Sequence, residues 1–226
     1  IDDVAMNVIL NEGKALPNAN AYKDYFSWVA TGLEEPMTTH ADRFKFNKGY
    51  GMSAYDKGSI FLSQLQYIIG KENFDNTLKK YFNDWSFRHP NPNDFIRSAE
   101  KVSGLELDWY LLDWAQSTMT IDYSINSVYG VDNRTKIILK RIGQMGMPID
   151  IRFVLESGHY LDYNIPMTKM RGSKPLNNST LLDSWSWAKP YYEFWIDVDS
   201  TNISKILIDP KNEMADIDRN INSLDL

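Results

Sequence analysis

The sequence contains no cysteine among its 226 residues. A disulfide framework, a thiolate metal ligand and a cysteine nucleophile are therefore excluded, although the compartment stays open. Long apolar runs are also missing, and no stretch approaches the roughly 18 apolar residues that a membrane-spanning helix needs. The formal net charge is −6, whereas a general nucleic-acid-binding domain carries a basic face. We therefore expect no membrane span in this segment and no nucleic-acid partner.

Histidine is scarce, with only His40, His89 and His159 in the chain. The three lie far apart, and none belongs to the His-Glu-x-x-His helix of a zinc peptidase. The sequence also has no Gly-x-Ser-x-Gly nucleophile elbow and no phosphate-binding loop. Carboxylates are plentiful, but no pair stands out from an ordinary acidic surface. We therefore predict that this chain holds no metal site of its own.

The first half of the chain has the periodicity of buried helix faces. One stripe, ended by Gly70, consists of Phe61, Leu62, Leu65, Ile68 and Ile69. A second stripe consists of Phe74, Leu78, Tyr81, Phe82 and Trp85. A further helix is predicted to begin at Asn91-Pro92-Asn93-Asp94, which combines a capping residue, an early proline and an acid, and to end at Gly104. A short aromatic helix is predicted from Leu107 to Ala115.

The period changes to two near Thr120, which predicts half-buried strands. The alternating runs begin at Ile121, Ile149, Leu161, Tyr192 and Ile206. Ser157-Gly158 predicts a tight hairpin turn between two of them, and residues 172–180 are predicted to form a loop. Short strands separated by turns are typical of an antiparallel β-sandwich. We expect a helical domain over residues 1–118 and a β-sandwich domain over residues 119–226.

Tyr55-Asp56-Lys57-Gly58 lies immediately before a predicted helix, and such a motif is specific only together with the elements around it. With its flanks, over residues 49–62, it resembles the Tyr-x-Lys-Gly element of the membrane alanyl aminopeptidase family, which are zinc peptidases of the gluzincin group. Similar elements follow in order at Phe87–Pro90, Asp94-Phe95, Ser103-Gly104, Leu107–Trp109, Thr120–Tyr123 and Met147–Ile149. The resemblance covers about residues 35–165. It implies the helical C-terminal part of a thermolysin-like catalytic domain, followed by the sandwich.

The resemblance also implies roles for individual residues. Tyr55 matches the family's active-site tyrosine, whose hydroxyl donates a hydrogen bond to the oxyanion of the tetrahedral intermediate. In that mechanism zinc polarises the scissile carbonyl of a peptide substrate, while a glutamate activates water. Tyr50 is expected to line the same pocket and bind substrate. Lys57 and His89 are expected to be structural.

The zinc-binding half of the family's site is missing from this sequence. The two zinc histidines, the catalytic glutamate and the Gly-x-Met-x-Asn substrate-amine motif are all absent. Glu12 lies in an Asn-Glu-Gly setting similar to that of the third zinc ligand. We reject it because it is too close to Tyr55 and because Lys14 stands where the family usually has an aromatic residue.

These departures indicate a truncated fragment of a zinc-dependent aminopeptidase, which hydrolyses N-terminal residues from peptides. The chain begins Ile1-Asp2-Asp3-Val4, without a methionine or the regions of a signal peptide. Zinc is expected in the parent protein, which supplies the missing upstream zinc-binding half. The fragment itself is expected to bind no zinc and to be inactive.

Two other interpretations stay open. In one, the chain is a non-catalytic module whose sandwich binds a peptide or glycan through an aromatic cluster. The cluster consists of Trp185, Trp187, Tyr191, Tyr192 and Trp195. Core packing and a domain interface explain the cluster more simply, because aromatic side chains bury large areas. In the other interpretation, the parent is a degenerate, inactive relative that has lost its zinc motif.

Overall fold

The computed structural model describes residues 18–226. Glu12 therefore lies outside the described residues. The chain divides into two compact units between Met119 and Thr120, and residues 213–215 belong to the first unit. The first unit is helical and the second consists of two β-sheets. The predicted fold class, a helical part followed by a β-sandwich, is confirmed.

The helical unit contains six α-helices and two π-helical turns within its described residues. The helices are α1 Ala19–Val29, α2 Asn47–Gly51, α3 Lys57–Ile69, α4 Lys71–Trp85, α5 Pro92–Ser103 and α6 Asp108–Tyr110. The first π turn, Met52–Asp56, joins α2 to α3. The second π turn, Leu111–Ala115, continues α6, so the predicted helix from Leu107 to Ala115 consists of two hydrogen-bonding patterns.

The predicted apolar stripe of α3 is confirmed, because its five members are buried. Gly70 ends the helix with a φ of 83°, a conformation that favours glycine. The stripe predicted on α4 is wrong at Phe82, whose side chain is 69% exposed. Tyr81 packs edge-to-face against Phe95 of α5, with ring centroids 5.1 Å apart. Because successive helical residues point about 100° apart, this contact turns Phe82 toward solvent.

The predicted start and end of α5 are confirmed. The Asn91 side chain accepts a hydrogen bond from the Asn93 N–H at 2.9 Å, and the Asp94 carboxylate accepts one from the Asn91 N–H at 2.8 Å. This reciprocal arrangement satisfies two backbone donors that the first helical turn leaves unpaired. Gly104 follows α5 in the left-handed conformation, with a φ of 72°.

Residues 213–215 are held in the helical unit by Gln64 of α3. Its Nε2 donates to the Tyr22 hydroxyl and to the Glu213 carbonyl, both at 2.8 Å. Its Oε1 accepts from the Ala215 N–H at 2.9 Å. Gln64 is fully buried, so these bonds compensate the loss of water around its amide.

The sandwich unit contains eight strands in two sheets. The strands are β1 Tyr123–Val131, β2 Arg134–Arg141, β3 Ile149–Leu155, β4 Tyr160–Ile165, β5 Ser179–Leu181, β6 Tyr191–Ile196, β7 Ile203–Ile208 and β8 Ser223–Asp225. One sheet has the order β1-β2-β6 and the other β5-β4-β3-β7-β8. Phe153 of β3 and Phe194 of β6 meet between the sheets, with ring centroids 6.2 Å apart.

The strands differ from the prediction at β2, β5 and β8, the last of which follows the final predicted strand. No strand was predicted at β2, although its buried Thr135, Ile137 and Leu139 alternate with more exposed residues. β5 begins inside the predicted loop and pairs in parallel with β4, so the five-stranded sheet is mixed. The β3–β4 hairpin is confirmed, and Gly158 occupies its turn with a φ of 82°.

Asp122 gives the sandwich unit a pH-dependent stability. Its Oδ1 is buried and has no hydrogen-bond partner. Burial, followed by the charges of Asp216 and Asp218, raises the pKa of Asp122 to about 6. An aspartate in an unfolded chain has a pKa of about 3.9, so the folded unit holds this proton more tightly. The resulting stabilisation is present below about pH 4 and is lost as the pH rises through about 6.

Replacing Asn91 by alanine is expected to lower the free energy of unfolding of the helical unit by about 1 kcal/mol, because the cap of α5 is lost. Urea denaturation of the chain measures this change. Asn93→Ala is the matched control, since the exposed Asn93 contributes only its backbone N–H to the cap. An equal loss in both variants would contradict the capping role.

Asp122→Asn is expected to make the sandwich unit more stable at pH 7 and to remove part of the decline between pH 4 and pH 7. Hydrogen exchange of peptides from β1 and β2, the strands next to Asp122 in the chain and in its backbone hydrogen bonds, measures this stability across that range. Asp132→Asn is the control, because Asp132 is exposed in the β1–β2 turn. A decline with pH that is identical in wild type and Asp122→Asn would contradict the assignment.

Candidate functional site

Tyr55 lies on the first π turn, inside a helical segment that runs from Asn47 to Ile69. The Lys57 N–H donates to the carbonyl of Met52, five residues earlier, which closes the wide turn. The sequence placed Tyr55 just ahead of a helix, whereas the structure places it within one. Helical backbone on both sides therefore supports the phenol.

The π turn brings the side-chain directions of Tyr50 and Tyr55 closer to the same side of this segment. In a regular α-helix, residues five apart point about 140° away from each other. A π turn takes up about one more residue, which brings such positions closer together. Both side chains are exposed, Tyr55 by 60% and Tyr50 by 45%. The Tyr50 ring also contacts Phe44 edge-to-face, with centroids 5.7 Å apart.

The opposite side of the π turn is buried and carries an ion pair. Lys57 Nζ lies 2.6 Å from Glu34 Oε1, and the two side chains are only 3% and 6% exposed. The same ammonium donates to the Ser117 carbonyl at 3.2 Å and lies 5.7 Å from the centre of the Trp114 ring. Burial lowers the pKa of Lys57, while the Glu34 carboxylate acts in the opposite direction.

Glu34 belongs to the loop that follows α1, and the second π turn contacts this loop. The Thr38 N–H of the loop donates to the Ala115 carbonyl at 3.2 Å. Tyr25 of α1 contacts Trp114, with ring centroids 5.7 Å apart. Burial, followed by the charge of Glu34, raises the pKa of Tyr25. The ion pair thus lies where α1, its loop and the two π turns meet.

Sequence reasoning missed Glu34 and both π turns. Glu34 precedes Lys57 by 23 residues, and no regular spacing connects them. The π turns interrupt the helical period only once each, which a periodicity search does not register. Tyr50 and Tyr55 were singled out by sequence, and the structure exposes both, but their roles stay predictions.

Metal-binding groups do not cluster in the described part of the chain. Among residues 18–226, no group of three or more His, Cys, Asp or Glu side chains could hold a metal ion. His40 uses its Nδ1 to accept a hydrogen bond from the Asp42 N–H at 3.3 Å. The residues described therefore do not fit a zinc centre.

The aromatic cluster of the sandwich is divided between the core and the surface. Trp185 is 4% exposed and stacks on Tyr192, with ring centroids 5.3 Å apart. Trp187, Tyr191 and Trp195 are exposed. Each exposed ring has a cation near its face. Lys169 lies over Trp187 and Lys140 over Tyr191, while Arg134 and Lys136 both lie over Trp195. The five aromatic residues therefore do not form a single binding surface.

No helix within residues 18–226 has both the length and the apolar character that crossing a membrane requires.

Comparison with known proteins finds a family similarity in the helical part of the chain. No curated protein matches the sequence. One solved structure, the Legionella pneumophila aminopeptidase A in complex with aspartic acid, is similar with a TM-score of 0.49 and 19% sequence identity. The similarity covers 75% of this chain and 18% of that chain, so the chain spans less than a fifth of that protein.

The family model "Peptidase family M1 domain" matches residues 12–114, a range that includes Tyr50, Tyr55 and Lys57. The family resemblance expected from the Tyr-x-Lys-Gly element is thereby confirmed for residues 12–114, which are similar to peptidase family M1.

Proposed function

We propose that this chain is part of an aminopeptidase, which removes N-terminal residues from peptides, and that Tyr55 is one of its catalytic residues. The observation that carries the proposal is the exposed phenol of Tyr55 on a helical turn whose other side is buried. This turn lies in the segment that matches the model of peptidase family M1.

The chemistry assigned to Tyr55 is stabilisation of negative charge. Hydrolysis of a peptide bond passes through a tetrahedral intermediate, in which the former carbonyl oxygen is an oxyanion. A phenol offers one O–H donor on a rigid ring, and a bond to the oxyanion is stronger than a bond to the uncharged carbonyl. The donor therefore stabilises the transition state more than the bound substrate. A donor fixed beforehand also needs little reorganisation during the reaction.

We further propose that the parent protein holds zinc through residues outside 18–226, because the described residues do not fit a metal centre. Tyr55 is proposed to act as a hydrogen-bond donor, and this role does not require any residue of this chain to bind the metal. The isolated chain is accordingly expected to bind no zinc and to cleave no peptide.

Tyr50 is proposed to contact the peptide substrate. Its ring is 45% exposed and rests edge-to-face on Phe44. This leaves part of an aromatic surface open near the side of the helix that carries Tyr55. Such a surface suits apolar contact with a substrate side chain.

In the full-length protein, Tyr55→Phe is expected to lower kcat for an aminoacyl-anilide by about 10²–10³, the usual effect of losing one oxyanion donor. KM is expected to change little, because the lost bond forms mainly in the transition state. Tyr129→Phe is the matched control, since Tyr129 is a similarly exposed tyrosine, by 53%, in the sandwich unit. A Tyr55→Phe enzyme with unchanged turnover would remove Tyr55 from the mechanism.

Tyr50→Ala in the full-length protein is expected to raise KM by about tenfold with kcat nearly unchanged, as loss of uniform substrate binding does. Steady-state hydrolysis of aminoacyl-anilides with small and large side chains measures both constants. Tyr50→Phe, which keeps the ring, should behave as wild type. A fall in kcat with unaltered KM would contradict the binding role.

A further inference from the structure

The ion pair between Lys57 and Glu34 is unusual because both charges are buried. The two side chains are 3% and 6% exposed, and the charged atoms lie 2.6 Å apart. Removing two charges from water is costly, and their attraction often fails to exceed that cost. An apolar pair of similar volume is frequently as stable or more stable. Stability alone is therefore a weak explanation for the presence of this pair.

The position of Lys57 gives the pair a direct effect on Tyr55. Lys57 follows the first π turn immediately, and its own N–H closes that turn onto the Met52 carbonyl. Its side chain reaches inward to Glu34 and to the Ser117 carbonyl. Tyr55, two residues earlier, points outward. Fixing the direction of the lysine therefore fixes the rotation of the turn about the helix axis.

The partners of Lys57 are themselves anchored. Glu34 lies in a loop tied to the second π turn by the Thr38 bond to Ala115. The next residue, Glu35, accepts a hydrogen bond from the Lys45 N–H at 3.1 Å, which ties the loop to the segment that leads into α2. Ser117 lies two residues beyond the second π turn. The pair thus connects the first π turn to the second π turn, to the segment that leads into α2 and to the chain at Ser117.

A π turn has a close alternative, because a regular α turn differs from it by about one residue of hydrogen-bond register. Relaxation of Met52–Asp56 to α geometry would change the helical phase across the turn by about 100°, and Tyr55, inside the turn, would rotate by part of that angle. We propose that Lys57 and Glu34 form a positioning pair, which holds the π turn Met52–Asp56 and thereby orients the Tyr55 hydroxyl. The catalytic consequence of this inference rests on the proposed function of Tyr55, whereas the effect of the pair on the turn does not.

The first test is a double-mutant cycle in the full-length protein. Lys57→Met and Glu34→Gln are each expected to lower kcat for an aminoacyl-anilide by about tenfold or more, with KM within about twofold of wild type. In a Tyr55→Phe background, the same substitutions are expected to cause no further loss, because they act through the hydroxyl that is already missing. A role limited to stability would reduce the folded fraction but leave kcat per folded enzyme unchanged.

The second test measures the turn without using activity. Lys57→Met is expected to raise hydrogen exchange of the amides of residues 53–57 by about tenfold or more, since the hydrogen bond from the residue 57 N–H that closes the turn opens more readily. Ile96→Val is the control, because Ile96 is a buried residue of α5 whose truncation weakens the same unit elsewhere. Exchange at residues 53–57 is expected to rise only in Lys57→Met when both variants are compared at equal global stability.

The outcomes separate the two proposals. Equal losses of kcat from Lys57→Met in the wild-type and Tyr55→Phe backgrounds would overturn the positioning role. Unchanged exchange at residues 53–57 would overturn it as well. If Tyr55→Phe itself keeps full turnover, the catalytic role of Tyr55 fails, and the exchange measurement alone then decides whether the pair holds the turn.

Discussion

The buried ion pair between Lys57 and Glu34 is the interaction on which the arrangement of the candidate site depends. It joins a loop after α1 to the first residue of α3, and its lysine also reaches the chain just beyond the second π turn. A single buried charge without its partner is much less stable than the pair. The two side chains therefore act as one unit, and the segments that carry them are positioned together.

The helical segment from Asn47 to Ile69 packs one side into the protein and exposes aromatic side chains on the other. Met52, Ser53 and Lys57 are buried, whereas Tyr50 and Tyr55 are exposed. The π turn between them changes the helical phase without ending the helix, so an exposed aromatic residue gains support from helical backbone in both directions. This is the property that a fixed hydrogen-bond donor needs, because a donor on a mobile loop would have to be ordered during each reaction.

Local sequence patterns predicted the elements whose stability is local or repetitive. The stripe of α3 and the cap of α5 follow from spacing and from side-chain chemistry within a few residues. The alternation of β3 and β6 follows from the pleat of a half-buried strand. The same logic failed at Phe82, because α4 packs against α5 through Tyr81, and a neighbouring helix decides which side of an amphipathic helix is covered.

The sequence by itself determined a helical part followed by a sandwich, the Tyr-x-Lys-Gly element and the choice of Tyr50 and Tyr55. These features reside in residue types at fixed short spacings. Only the tertiary structure decided the partner of Lys57, the partners of Gln64 and the parallel edge strand β5. Each depends on groups brought together from distant parts of the chain, and the pairing of buried polar groups is set by packing geometry rather than by sequence distance.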